Sequence, residues 1–309
     1  MPTPRKRPTA TRRRRSVRRR SIIHNNRFFF FVMLMLVMLA VVFHFFGDRV
    51  FPEQSPVLPG PGEIFVHFID VGQGDATLIQ SRDHAVLIDG GEPRYGQHVI
   101  SYLRSAGVTR LDYVVATHPH SDHIGGLIAV LAQKEVGRLL MPDATHNTVP
   151  FENFLAAIEN HDIPVTIPAI GDRISAGIIY MTVLAPTPGH HANLNNASIV
   201  LRMVHGATAF LFTGDAEVAS EQAMLAGGHN LQAHVLGVGH HGSRTSTTQE
   251  FLDAVNPVAA VISAGRNNQH GHPHREVLDR LNAANVRILR TDERGSILMS
   301  TDGEEIRFW

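Results

Sequence analysis

The stretch His118-Pro119-His120-Ser121-Asp122-His123 limits what this chain can fold into more than any other feature. It follows the largely apolar run Leu111-Asp112-Tyr113-Val114-Val115-Ala116-Thr117 and precedes Ile124-Gly125-Gly126-Leu127, so it reads as strand, turn and helix start. In extended chain, residues two apart point the same way, which lets His118 and His120 grip one metal ion. The turn then aims Asp122 and His123 at a second position, and the glycines let the next helix begin close to the sheet. With 20 histidines in 309 residues, the pattern His-x-His-x-Asp-His would arise by chance in about 0.4% of chains of this length. The bland alternative is a solvated loop that happens to be rich in histidine.

Around this segment short β-branched runs alternate with helical stretches. Strands are predicted at 64–69, 76–80, 85–88, 112–116, 178–184, 198–204, 209–212, 233–238, 258–262 and 296–299. Helices are predicted at 97–106, 124–132, 151–160, 216–226, 247–255 and 274–284. Strands outnumber helices and come at both hairpin and crossover spacing. That favours an α/β (α+β) architecture of mixed sheets sandwiched by helices over a doubly wound sheet. There is no cysteine, which excludes a disulfide scaffold and thiolate metal ligation.

Residues 28–46 read FFFFVMLMLVMLAVVFHFF. An apolar run of about 19 residues, at about 1.5 Å per residue, just crosses the roughly 30 Å of a bilayer's hydrocarbon. No small-x-small cleavage site follows it, so an uncleaved signal anchor is favoured over a signal peptide. The formal net charge is zero, yet Arg5, Lys6, Arg7, Arg12 to Arg15, Arg18 to Arg20 and Arg27 all precede Phe28. Positive flanks stay in the cytoplasm, so a single-pass protein in the cell membrane is expected, amino terminus cytoplasmic and the rest extracytoplasmic. The domain plan is a basic tail at 1–27, a transmembrane anchor at 28–46, a Pro/Gly linker at 47–62 and a catalytic domain at 63–309. Without its basic tail the chain is acidic, which argues against a broad cationic surface for duplex DNA.

Further polar residues stand at expected strand ends. Asp215 follows an apolar strand at a Thr-Gly turn, which delivers a carboxylate to the sheet's edge; capping the helix after it is the alternative. Asp89, in a strand-to-glycine turn, suits an orienter of ligating histidines, or a structural turn aspartate. Ser243 and Ser246 lack the strand-Ser-helix elbow of a serine nucleophile and suit phosphate contacts or helix caps. In Asn267-Asn268-Gln269-His270-Gly271-His272-Pro273-His274, His272 could give a proton to a leaving alkoxide or hydrogen-bond a phosphate oxygen, with Asn268 and Arg266 assisting.

Several separated motifs occur in a fixed order: Phe68-Ile69-Asp70-Val71-Gly72-Gln73-Gly74-Asp75, Leu87-Ile88-Asp89-Gly90-Gly91, the histidine motif, Asn195-Asn196-Ala197-Ser198, Phe212-Thr213-Gly214-Asp215-Ala216 and Gly239-His240-His241-Gly242-Ser243. Over about Ile64 to Trp309 the chain resembles the metallo-β-lactamase fold superfamily, and within it the extracytoplasmic hydrolase domain of ComEC-type DNA-uptake proteins. The resemblance implies an αββα sandwich with a one- or two-metal site, zinc or manganese, at the sheet edges. His118, His120, Asp122, His123, Asp215 and His241 would be ligands, with Asp215 bridging the ions and Asp122 also catalytic. It favours His241 over its neighbour because the ligand usually precedes a small residue, here Gly242; His240 would then support the ligands from behind. Many members carry another histidine ligand where this chain has Asn195-Asn196, so the first site would be weaker or favour manganese. Asn196, Ser243 and Asn268 would contact substrate, and His272 would act in catalysis.

A two-metal site brings the pKa of bound water from about 15.7 to about 7, so no protein nucleophile is required. The expected function is a membrane-anchored phosphodiesterase or nuclease acting on extracytoplasmic DNA, single-stranded DNA being one substrate. One apolar span cannot form a channel, so an uptake role would need a separate channel as partner. Alternatives are another phosphodiester of teichoic-acid type, a lactone or β-lactam, or, in a different class, a metal-stabilised binding module.

Overall fold

The computed structural model describes residues 56–189 and 191–309 and, in the amino-terminal part, one helix with the side chains of residues 28–41. That helix, α1 (Ile23–Val50), is uncapped by acidic residues in its first turn. Its described side chains are almost all exposed. Among the described residues no helix is long and apolar enough to cross a membrane. The basic tail at 1–27, residues 42–46 of the expected span and residues 47–55 of the linker lie outside the described side chains.

Residues 56–309 form a compact unit of their own. Its first sheet starts with an antiparallel meander, β1 (Ile64–Phe68), β2 (Thr77–Gln80) and β3 (Ala85–Ile88). Three parallel strands follow, β4 (Arg110–Val115), β5 (Glu135–Leu140) and β6 (Val165–Thr166). Parallel neighbours need a crossover, and the helices provide it: α2 (Gly96–Ser105), then α3 (Ser121–Ile124) with α4 (Leu127–Gln133), then α5 (Val149–Asn160).

The second sheet repeats the plan. An antiparallel series β7 (Arg173–Ala176), β8 (Ile179–Ala185), β9 (Val200–His205) and β10 (Thr208–Phe212) passes into parallel β11 (Val235–Gly237), β12 (Ala259–Ile262) and β13 (Arg287–Arg290). The crossovers are α6 (Val218–Ala226), α7 (Gln249–Val255) and α8 (Arg275–Ala283). A short α9 (Thr291–Arg294) then leads back to the first sheet, where β14 (Ile297–Thr301) and β15 (Ile306–Phe308) are added beside β1.

The core has three layers, as two sheets between two sets of helices require. Between the sheets lie Val66, Phe68, Ile79 and Ile88 from one and Met181, Leu201, Phe210, Phe212 and Val261 from the other. Val99, Leu103, Leu127 and Phe154 cover the outer face of the first sheet, and Met224, Phe251, Val277 and Leu281 that of the second. This is the expected αββα sandwich. Five strands were not expected: β5, β6, β7, β13 and β15. β6 has only two residues, and β5, β7, β13 and β15 carry Glu135, Arg138, Arg173, Arg287, Arg290 or Arg307 at exposed or half-exposed positions. Pairing with a neighbouring strand, not local periodicity, makes them strands.

One buried titratable side chain belongs to the scaffold. His67 on β1 lies with Nδ1 3.2 Å from the Tyr102 hydroxyl, while its Nε2 has no partner among the described residues. Burial lowers its pKa to about 4, against about 6.5 in the unfolded chain. Below pH 6.5 the unfolded state therefore takes a proton that the folded state refuses, so stability falls as pH falls from about 6.5 to about 4. Between pH 7 and pH 5 the loss from this group is expected to be about 2 kcal/mol. Denaturant titrations of wild type and His67→Gln should differ by that amount in their pH dependence; parallel curves would refute it.

Candidate metal centre

The carboxyl ends of β3, β4, β10 and β11 gather at one edge of the sandwich, and the segments that leave them carry Asp89, His118 to His123, Asp215 and His241. An inter-sheet hydrogen bond from Ile199 N to Thr117 O, 2.9 Å, holds the two edges together.

Asp89, after β3, adopts a left-handed φ of 58° and is wholly buried. Its Oδ1 accepts from Thr117 N at 2.8 Å, and its Oδ2 from Thr117 Oγ1 at 2.7 Å and from His123 Nδ1 at 2.8 Å. With Nδ1 carrying the hydrogen, His123 Nε2 is bare and faces Asp215 Oδ1 at 3.2 Å and Asp122 Oδ2 at 3.9 Å. His241, after β11, is held in the same way: Nδ1 donates to Ser263 O at 3.0 Å, and Nε2 faces Asp122 Oδ2 at 3.3 Å and Asp215 Oδ1 at 3.4 Å. On the other side His118 Nε2 lies 2.9 Å from His120 Nδ1 and 3.6 Å from Asp215 Oδ2. Ser198 Oγ accepts from Asp215 N at 3.1 Å, which fixes the backbone that carries this carboxylate.

Two ligand sets result, His118 with His120 and Asp215, and Asp122 with His123 and His241; within each, the candidate ligand atoms lie within 4.8 Å of one another. Ligands at about 2.0–2.2 Å from one ion require such spacing. The chemistry of the donors also fits. His123 Nε2, Asp215 Oδ1 and His241 Nε2 are buried and have no hydrogen-bond partner among the described residues. Leaving such atoms unmatched is costly, and a cation held by these residues would satisfy them.

The electrostatics agree. Burial works against the charged form of His123, yet the carboxylates of Asp215, Asp89 and Asp122 hold its pKa well above the usual range. Burial opposes the charged form of His241 as well, and the carboxylates of Asp215, Asp122 and Asp75 together raise its pKa well above the usual range. Burial would raise Asp215 and Asp122, but His123 above all holds both low. A field that draws protons to these nitrogens also favours a divalent cation.

His118, His120, Asp122, His123, Asp215 and His241 thus converge. The residues expected to touch substrate are tied by hydrogen bonds within the protein. Asn196 Oδ1 accepts from Glu217 N at 3.1 Å and Ser220 N at 3.2 Å, serving the start of α6. Ser243 is buried, with its hydroxyl 2.9 Å from Thr245 Oγ1. Asn268 closes its own loop, donating to Gly265 O and His272 O and accepting from His270 N and His272 N. Ser246 donates to Ala216 O at 2.9 Å. His272 sits at the rim, its ring 5.4 Å from that of His240 and 6.2 Å from that of His241. Burial, with His241 and His240 nearby, lowers its pKa to about 3.

Three neighbours escaped the sequence reading. Asp75 groups with His123 and Asp215 and lies 3.6 Å from His241 Nδ1; its signal was the Gly72-Gln73-Gly74 turn before it. Glu217 lies 2.9 Å from His240 Nδ1. The His146 ring lies 5.3 Å from that of His120, and nothing local marks it. Beside the centre runs an open polar groove of about 510 Å³ lined in part by Gln73, Arg94, Tyr95, Arg266, Asn267 and His270.

The metallo-beta-lactamase superfamily family model matches residues 69–266, which carry every ligand candidate. The chain belongs to the metallo-beta-lactamase superfamily. It is a superfamily hydrolase with the metal-dependent fold and histidine and aspartate clusters able to hold metal. Competence proteins are among its relatives. It is 36% identical to ComE operon protein 3 of Bacillus subtilis (strain 168), over 78% of this chain and 33% of that protein. It is 33% identical to competence protein ComA of Neisseria gonorrhoeae, over 80% of this chain and 33% of that protein. The chain therefore spans about a third of the length of these relatives. Among solved structures, the metallo-beta-lactamase fold protein YhfI from Bacillus subtilis superposes with a TM-score of 0.54 at 14% identity, covering 77% of this chain and 100% of that one.

Proposed function

We propose that this protein is a metal-dependent phosphodiesterase that cleaves DNA outside the cytoplasm, tethered to the cell membrane by residues 28–46. The observation that carries this reading is the pair of ligand sets whose imidazoles face the two oxygens of Asp215, next to an open groove with Arg94 and Arg266 in its walls. One or two ions of zinc or manganese held there would acidify water and polarise a phosphoryl oxygen. The protein's own part is to fix the bare nitrogens of His123 and His241 through Asp89 and Ser263 O, and to keep the Asp122 carboxylate ionised. His272, neutral at physiological pH, donates from a ring N–H to a phosphate oxygen. The relatedness to competence proteins supports DNA as the diester, with uptake requiring a channel as partner. The arginines that precede residue 28 support a cytoplasmic amino terminus.

The test is hydrolysis of single-stranded DNA and of bis-nitrophenyl phosphate by the full chain in detergent, with zinc or manganese, beside Asp122→Asn. Activity on both substrates is expected, with a drop of about 10²-fold or more in the variant. Cleavage of the small diester alone would point to a teichoic-acid-like substrate. Activity on neither, or an unchanged Asp122→Asn, would sink the reading and return a lactone, a β-lactam or a binding role.

A further inference from the structure

We infer that His240 is the remaining imidazole ligand of the first ion, in the role that many superfamily members give to a histidine where this chain has Asn195-Asn196. The inference rests on the metal centre proposed above, and its test separates the two.

The four histidines are distributed evenly over the two oxygens of Asp215. Oδ1 is faced by His123 Nε2 at 3.2 Å and His241 Nε2 at 3.4 Å; Oδ2 is faced by His118 Nε2 at 3.6 Å and His240 Nε2 at 3.7 Å. The backbone makes this possible. His240 and His241 occupy consecutive left-handed conformations, φ 49° and 54°, which side chains with a Cβ seldom adopt and which persist only where the surroundings impose them. Gly242 follows, also at positive φ, and a Cβ there would press on Pro273.

A neutral imidazole ligates well when its other nitrogen is tied to a carboxylate. His240 has that support. Glu217 Oε1 lies 2.9 Å from Nδ1, so the hydrogen sits there and Nε2 is turned to the centre. Glu217 is itself held on every side, accepting from Asn193 Nδ2 at 2.7 Å, Asn195 Nδ2 at 2.9 Å and Thr245 Oγ1 at 3.0 Å. The arrangement is the one Asp89 gives His123 across the site. It also explains Asn195: the side chain at the position of the missing histidine donates its amide to the carboxylate that orients His240.

The experiment is a titration of the metal-free full chain with zinc, and separately with manganese, read as bound ions per chain and their dissociation constants. Wild type should bind two ions, His240→Ala one, and Glu217→Gln two with the weaker constant raised by about 10- to 100-fold. Thermal midpoints of the metal-free proteins report whether the variants fold, and Glu217→Gln, which keeps the imidazole, tests the point should His240→Ala fail to fold. Two ions with unchanged constants in both variants would overturn the assignment of His240 alone. No ion in wild type would overturn it together with the metal centre.

Discussion

Replacing Asp215 with Asn is expected to lower metal-dependent hydrolysis by at least about 10³-fold and to strip the protein of bound ions. One preorganised donor at a reacting centre is worth about 10²–10³ in rate, and this carboxylate faces imidazoles of both ligand sets. It is 2% exposed, and the imidazoles of His118, His123, His240 and His241 all lie within 3.7 Å of its two oxygens. An amide of the same shape keeps the backbone hydrogen bond from Asp215 N to Ser198 Oγ, so the fold should survive. What is lost is the negative charge, and with it the one acidic group able to neutralise cations on both sides. Metal content and hydrolysis of bis-nitrophenyl phosphate, measured on the same preparation, check the prediction. A variant that kept two ions and activity within tenfold of wild type would show that Asp215 does not join the sites.

Gly126→Ala, the addition of a single methyl, should cost about 2–3 kcal/mol of stability. It should also weaken metal binding by about 10-fold or more. A Cβ at Gly126 would overlap the Gly90 carbonyl oxygen, which is backbone and cannot swing aside. That contact is close because two hydrogen bonds clamp the segments, Gly126 N to Gly91 O and Gly90 N to His123 O, each 2.8 Å. The added methyl therefore pushes against the segment that carries Asp89, which orients His123. Thermal melts should fall by about 5–10 °C for a domain of this size. Gly60→Ala is the control: there the nearest atom is 3.5 Å away, an ordinary contact, so stability should stay within about 0.5 kcal/mol. Equal midpoints for the two variants would refute the steric account.

Most of the cluster was legible because its candidate ligands come in local groups. His118 to His123 sit on one strand-turn-helix unit, and Asp215 and His241 each stand one to three residues past an apolar run, where a strand end leaves the sheet. The elements that went unread are those whose identity depends on a neighbour. Glu135–Leu140 begins with a charged residue and contains a glycine, and it is a strand because β4 and β6 flank it. Residue roles behaved alike. The polarity of Asn196 is visible in the sequence, but its hydrogen bond from Glu217 N, 21 residues away, is not.

The sequence by itself determined the layered α/β class, the donor types of the centre and the residues that form its two halves. These follow from period, turn chemistry and the short-range geometry of the chain. Only the tertiary structure decided that Asp215 stands between four imidazoles, that Asp75 and Glu217 belong beside them, and which nitrogen of each ring is left bare. Those facts depend on carboxylates and carbonyls brought in from strands of both sheets. The pairing of partners distant in sequence is fixed by packing across the sandwich, and no local pattern carries it.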